Sequence, residues 1–285
     1  MSNQLLTVTT HQGPVSLATS RWGSGPVVIL LHGWLHSKEI WGRIAPLLSH
    51  DFRLIAIDLP GFGDSPPVTK DAISISEYAH VINLALAALD GESKILGIVA
   101  DSLSGVILAN AASLSSFPSV RSLAFSGCPF DGLPTALKIP MLSSLLTPGL
   151  ALLHRVPEPV RRALVRRLAN YTLYEEIDSD EIMLGVAKAD TTSARVLFDA
   201  LRYKVPLGAS GALRRHRCLV LRGEHDPIAS KAESLLWAGY ISAPYVEISG
   251  SSHVPMIEQP AAYANILRSF LNEFEGPSIE TSNQP

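Results

Sequence analysis

The chain has 285 residues, 47% of them hydrophobic, which is enough for one large domain with a sizeable core. Lys plus Arg number 23 against 26 Asp plus Glu, and the formal net charge of -3 gives no general attraction to nucleic acid or to an anionic membrane, so neither is expected as a partner. The two cysteines, Cys128 and Cys218, are too few for a disulfide framework, and each lies in an apolar run that suits a buried thiol in a reducing compartment.

The opening MSNQLLTVTTHQG has neither a basic n-region nor an apolar h-region, and no apolar run approaches the ~20 residues that span a bilayer. The expectation is a soluble cytoplasmic protein, monomer or homodimer. In chain order, residues 5–10 and 15–22 read as an antiparallel hairpin around His11-Gln12-Gly13-Pro14. Short β-branched runs follow at 26–31, 53–57, 94–100, 120–126, 218–221 and 245–248. Between most of them, residues 40–48, 75–89, 102–114, 229–238 and 259–274 carry helical spacing. Strands alternating with helices predict a mostly parallel α/β sheet covered on both faces. The alternation breaks over about 130–211, where helix-like pieces rich in proline, leucine and arginine form an insertion. The expected organisation is a first core part over 1–130, a helical cap over 131–210, a second core part over 211–275 and a disordered tail over 276–285.

Chemistry concentrates at three strand ends. In KILGIVADSLSGVILANAA a strand runs into a helix with no loop, and Ser102 falls at the junction. A strand-turn-helix strains its apex residue and needs small neighbours, which Ala100, Ser104 and Gly105 provide, although the usual G-x-S-x-G has lost both outer glycines. With Asp101 as apex, the chain would be a carboxylate-nucleophile enzyme, but Leu103 would then crowd the turn. Ser102 acting only as a helix N-cap is the plainer alternative. After the next strands come Arg-Gly-Glu-His-Asp-Pro (222–227) and Ser-Gly-Ser-Ser-His-Val-Pro (249–255), so Ser102, Asp226 and His253 fall at carboxyl strand ends, where open α/β sheets bind ligands.

A serine hydroxyl needs a base, and the base needs a carboxylate that fixes its tautomer and stabilises its charged form. Those requirements make Ser102 the candidate nucleophile, His253 the base and Asp226 the acid. The backbone N–H groups of Trp34 and Leu103 are the candidate oxyanion donors, and Gly33 allows the sharp turn before Trp34.

With these residues in place, the chain resembles the α/β-hydrolase superfamily, in particular its small capped branch of esterases, cofactor-free haloperoxidases and C–C bond hydrolases. The matching segments are VVILLHGW, LIAIDLPGFGDSP, ILGIVADSLSG, LVLRGEHDPIAS and SGSSHVPMIEQP, in order over residues 27–260. The resemblance implies an α/β-hydrolase fold with an eight-stranded sheet whose second strand is antiparallel, a helical cap at the insertion, no metal or organic cofactor, and Asp131, just past the sixth strand, as the other candidate acid, since some members place the acid there. Where relatives carry glycine, histidine and glycine around the nucleophile, this chain has Ala100, Asp101 and Ser104. A carboxylate beside the nucleophile raises a nearby acid's pKa or repels an anionic substrate, unless it merely bonds neighbouring backbone.

Arg155, Arg161, Arg162, Arg166 and Arg167 recur at helical spacing with Val160, Leu164 and Leu168, as a solvated helix face or as a guanidinium that holds a substrate carboxylate. Met141, Met183, Tyr171, Tyr174 and Tyr203 suggest a mainly apolar pocket, to which His32, Gly33 and Asp101 also belong as candidates. The expected function is hydrolysis of an ester or related carbonyl of a small apolar molecule through an acyl-enzyme. A lyase or cyclase step on the same fold and a ligand receptor without turnover are the alternatives.

Overall fold

The computed structural model describes residues 1–68, 74–115, 117, 119–130, 148–149, 151–153, 155–169, 173, 180–200 and 205–273. The predicted tail, Asp131, Met141, Tyr171, Tyr174 and Tyr203 lie outside the described residues.

Alternation along each strand sorts its side chains onto two faces, and here both faces are apolar. In β3 (Val27–Leu31) every residue is buried; Val27, Ile29 and Leu31 enter one core, and Val28 and Leu30 the other. β4 (Arg53–Ile57) divides the same way, with Ile55 and Ile57 on one side and Leu54 and Ala56 on the other. With β1 (Ser2–Thr10), β2 (Gly13–Trp22), β5 (Ile95–Asp101), β6 (Ser122–Ser126), β7 (Arg217–Gly223) and β8 (Tyr245–Ile248) they form an eight-stranded sheet in the order β1-β2-β4-β3-β5-β6-β7-β8. β2 is antiparallel to both its neighbours, and the pairs from β4 to β8 are parallel. The predicted hairpin is β1–β2.

Helices cover both faces. The expected helix over 40–48 is instead a 3-10 turn, Lys38–Trp41, and a short α1, Ala45–Leu48, since Gly42 follows the turn and Pro46 fits only the first turn of a new helix. α2 (Ile75–Glu92) starts on a capping box in which the Ser74 side chain accepts from the Glu77 amide and the Glu77 carboxylate accepts from the Ser74 amide. α3 (Leu103–Leu114) follows β5 directly.

Between β6 and β7 run α4 (Glu158–Ala169), α5 (Asp180–Lys188) and α6 (Thr191–Ala200), and then the short α7 (Ser210–Leu213). The arginine-rich stretch is helical, as α4, but its buried apolar residue is Val165, while Val160 and Leu164 stay exposed. Arg162 is tied to Glu158 at 3.2 Å and Asp180 at 2.7 Å. α8 (Lys231–Ile241), α9 (Pro255–Glu258) and α10 (Pro260–Asn272) complete the chain, and the last two each begin on a proline at the first helical position. Among the described residues no helix is long and apolar enough to cross a membrane. Cys128 and Cys218 are free and buried, as the sequence predicts.

The strand order reverses at β3, which leads to β4 on one side and to β5 on the other, so the carboxyl ends of β3 and β5 mark the topological switch point where sheets of this kind bind ligands. Gly223, at the end of β7, lies so close to the Ser252 carbonyl that an added methyl would overlap it. Gly223→Ala is therefore expected to destabilise the protein by about 3 kcal/mol in urea unfolding, because backbone, not a side chain, must move. A loss no larger than that of Gly239→Ala, whose new methyl meets nothing, would contradict the packing described.

Candidate active site

Ser102 stands between β5 and α3 with φ 49° and ψ -115°, a conformation that costs a non-glycine residue about 1–3 kcal/mol. Its surroundings impose the strain. The Ser102 N–H donates to the Ser126 carbonyl at 2.7 Å, the Gly105 N–H donates to the Ser102 carbonyl at 3.0 Å, and Ser104 Oγ donates to the His32 carbonyl at 2.5 Å. Ser104 thus makes a bond that the usual glycine cannot. Gly105 is needed because a methyl there would run into Cys128 Sγ.

Three sequence-predicted residues meet at this point. His253 Nε2 lies 3.1 Å from Ser102 Oγ, and His253 Nδ1 lies 2.9 Å from Asp226 Oδ2. A carboxylate only accepts, so Nδ1 carries the proton and Nε2 of the neutral ring can accept the serine proton. Asp226 Oδ1 in turn accepts the Ile228 and Ala229 amides at 2.8 and 3.0 Å, which fixes the carboxylate. Burial works against a charged ring at His253, but Asp226, by its charge and its hydrogen bond, together with Asp101 and Glu258 outweighs it and raises the histidine to about 9. Gly127, unnoticed in the sequence, has φ 58°, and a side chain there would press on Asp226 and on the His253 ring. The available signal was a glycine directly after β6, at the same sheet edge.

The candidate oxyanion loop is a turn closed by the His36 N–H donating to the Gly33 carbonyl at 3.3 Å, with Leu35 left-handed at φ 58°. Neither the Trp34 nor the Leu103 amide is bonded among the described residues, and Leu103, as the first residue of α3, has no intrahelical acceptor. Gly33 is the close approach: a Cβ there would lie 2.7 Å from Asp101 Oδ2, 3.0 Å from Ser102 Cβ and 3.4 Å from His36 Nδ1. The loop is held from below by Lys38, whose Nζ meets Asp58 at 2.8 Å and Asp64 at 2.6 Å. From above, the Trp34 indole N–H donates to the Ala194 carbonyl of α6 at 2.8 Å, and Gly185 of α5 lies against Leu35 and His36. Arg43–Glu181 (3.0 Å) and Lys188–Asp64 (2.5 Å) fasten the two ends of α5 to the core.

Two of the pocket candidates are enclosed. His32 is fully buried: its Nε2 accepts the Leu59 amide at 2.9 Å and its Nδ1 donates to the Gly33 carbonyl at 2.8 Å, so no ring nitrogen is left for a substrate. Asp101 is also fully buried, yet it does not bond neighbouring backbone, because neither carboxylate oxygen has a hydrogen-bond partner. Among the described residues no cluster of three or more His, Cys, Asp or Glu side chains is placed to hold a metal ion.

A fold of this order, with a strained serine at its topological switch point, defines a class, and the comparisons agree. Residues 28–266 match the family model described as alpha/beta hydrolase family, and the chain belongs to that family of hydrolases. Among curated proteins, it is 44% identical over 52 residues to a pimeloyl-[acyl-carrier protein] methyl ester esterase of Aeromonas hydrophila, a match covering 18% of this chain and only 20% of that one. Its counterpart from Serratia marcescens is 26% identical over 254 residues, 86% of this chain and 93% of that one. Among solved structures, a thermophilic esterase from Thermogutta terrifontis superposes with a TM-score of 0.74 at 19% identity, covering 95% of this chain and 98% of that one.

Burial lowers His32 from 6.5 to about 4, so the folded protein keeps this ring neutral where the unfolded chain would protonate it. The stability that this neutrality carries is complete above pH 6.5 and is lost as pH falls toward 4, about 3 kcal/mol in all. Thermal melts of wild type and His32→Asn should therefore converge by that amount over this window; a constant gap would show that His32 does not titrate as its burial requires.

Proposed function

We propose that this hydrolase is a serine esterase acting on a small, largely apolar ester through an acyl-enzyme, with Ser102 as nucleophile, His253 as general base and Asp226 as the orienting acid. The observation that carries the reading is the continuous chain Ser102 Oγ, His253 Nε2, His253 Nδ1, Asp226 Oδ2, with steps of 3.1 and 2.9 Å, beginning on a serine held at positive φ after β5. The Aeromonas, Serratia and Thermogutta proteins that the chain resembles are esterases, which supports the reaction class.

In the proposed reaction Ser102 Oγ bonds to the carbonyl carbon while its proton passes to His253 Nε2. The oxyanion formed is met by the Trp34 and Leu103 amides. The carbon–oxygen bond to the leaving alcohol then breaks, and the alcohol departs with the proton from His253. Water, deprotonated by His253, attacks the acyl-enzyme; the acid is released and Ser102 recovers its proton. The segment 131–210 acts as the cap: its helices α5 and α6 lie on the oxyanion loop, where they exclude water and shape the acyl pocket. Asp101 is a poor alternative nucleophile, being fully buried and without the strained backbone that Ser102 has.

Short p-nitrophenyl esters should be hydrolysed by the wild type. Ser102→Ala should lose roughly 10³-fold or more in kcat, and Asp226→Asn roughly 10⁴-fold through the wrong histidine tautomer. Unchanged turnover in Ser102→Ala would end the reading. Loss in Asp131→Asn but not in Asp226→Asn would move the acid to Asp131.

A further inference from the structure

The two candidate oxyanion donors are not held equally. Leu103 opens α3, and the turn before it is tied to β6 through the Ser102 amide and to β3 through Ser104. Trp34 stands in a turn with weak means of its own. The hydrogen bond that closes it, from the His36 N–H to the Gly33 carbonyl, is long at 3.3 Å, and Leu35 within it is left-handed at φ 58°. A non-glycine residue keeps that conformation only where its surroundings impose it.

The cap supplies the constraint. Gly185 of α5 lies so close to Leu35 that an added Cβ would overlap the Leu35 carbonyl. The Trp34 indole N–H donates to the Ala194 carbonyl at 2.8 Å, and the Trp34 ring stands 5.2 Å from that of Phe198, one turn farther along α6. With its N–H bonded and its ring seated, the side chain keeps one rotamer, and the backbone that bears it is held as well.

The far end of this strut is fixed to the core. The Asp190 N–H donates to the Gly61 carbonyl at 2.7 Å, and the Asp190 carboxylate caps α6 by accepting the Ser193 N–H at 2.8 Å. Gly61, at φ 80° in the loop after β4, lacks a side chain where Ser193 lies. Ala194 is the next residue, so the carbonyl that receives the indole sits about one helical turn from a backbone bond to the core.

We propose that Trp34 is a positioning residue through which the cap becomes part of the oxyanion site: its indole bond to Ala194 and its seat against Phe198 hold its own amide where the oxyanion forms. The proposal rests on the esterase reading, in which that amide meets the carbonyl oxygen after Ser102 Oγ has bonded to the carbonyl carbon. Charge develops on that oxygen only in the transition state, so slack in the turn is felt in kcat and little in KM.

The test uses full chains: wild type, Trp34→Phe, and a chain in which benzothienylalanine replaces Trp34, keeping the bicyclic shape and lacking only the N–H. Each is measured for kcat and KM on p-nitrophenyl butyrate and for inhibition by an alkyl trifluoromethyl ketone. Ser102 Oγ adds to the ketone carbon, its proton passes to His253, and the hemiketal oxygen remains in the site as an oxyanion. Both variants should lose about tenfold in kcat, less than the roughly 10²–10³ lost with a deleted donor, with KM within about twofold and the ketone Ki raised about tenfold. If Trp34→Phe does not fold, the isosteric chain carries the same expectation. Wild-type kcat in a folded variant, a loss confined to KM, or an unchanged Ki beside a lowered kcat overturns the proposal. If the wild type neither hydrolyses the ester nor binds the ketone, the esterase reading fails, and hydrogen exchange decides the strut. The His36 amide, whose bond closes the turn, should then exchange about tenfold faster without the indole donor, and equal rates overturn the proposal.

Discussion

The site depends on the backbone of Ser102 being held in a conformation that it would not choose. With φ at 49°, the residue is turned so that Oγ rises above the sheet edge toward His253 and its own amide turns back to the Ser126 carbonyl on β6. Each neighbouring choice follows from that turn. Gly33 must lack a side chain because Asp101 and Ser102 occupy the space, and Gly105 must lack one because Cys128 does. Ser104 reaches across to the end of β3, so strands β3, β5 and β6 together carry the strain. The fold supplies a rigid point where three loops converge, and the side chains on those loops supply the chemistry.

Much of this was legible in the sequence, because buried parallel strands are short aliphatic runs and the junction of strand and helix without a loop is a local signal. Ser102, Asp226 and His253 could be singled out since each follows a strand, and a parallel sheet brings such ends to one edge. The hairpin, the six later strands and the long helices fall within a few residues of their expected limits. Most of what escaped depends on contacts between distant segments. Gly127 is recognisable only once Asp226 and His253 are seen beside it. His32 reads as a polar residue near the nucleophile, and only the Leu59 amide and the Gly33 carbonyl show that its ring is spent on backbone. The helix over 40–48 was misjudged because aliphatic spacing masked the break at Gly42 and Pro46.

Charge is distributed unevenly across this small region. His32, fully buried with Asp58 at 4.0 Å, is lowered because burial outweighs that carboxylate, whereas His253, equally enclosed, is raised by Asp226, Asp101 and Glu258. Hydrogen bonding follows the same division. His32 is satisfied by a backbone donor and a backbone acceptor, an arrangement only the neutral ring can make, and His253 is satisfied by a carboxylate that prefers the cation. Beneath the candidate oxyanion loop, Lys38 joins Asp58 and Asp64, and Asp64 continues to Lys188 at the end of α5, so the loop and the helices over it share one ionic framework.

The proposed role of Ser102, a nucleophile and not a helix cap, is tested most directly by covalent labelling. Treatment with an active-site-directed fluorophosphonate, followed by intact-mass analysis and peptide mapping, should show a single adduct on the peptide containing Ser102, formed faster as His253 loses its proton. An unlabelled protein, or an adduct that persists in Ser102→Ala, would contradict the account.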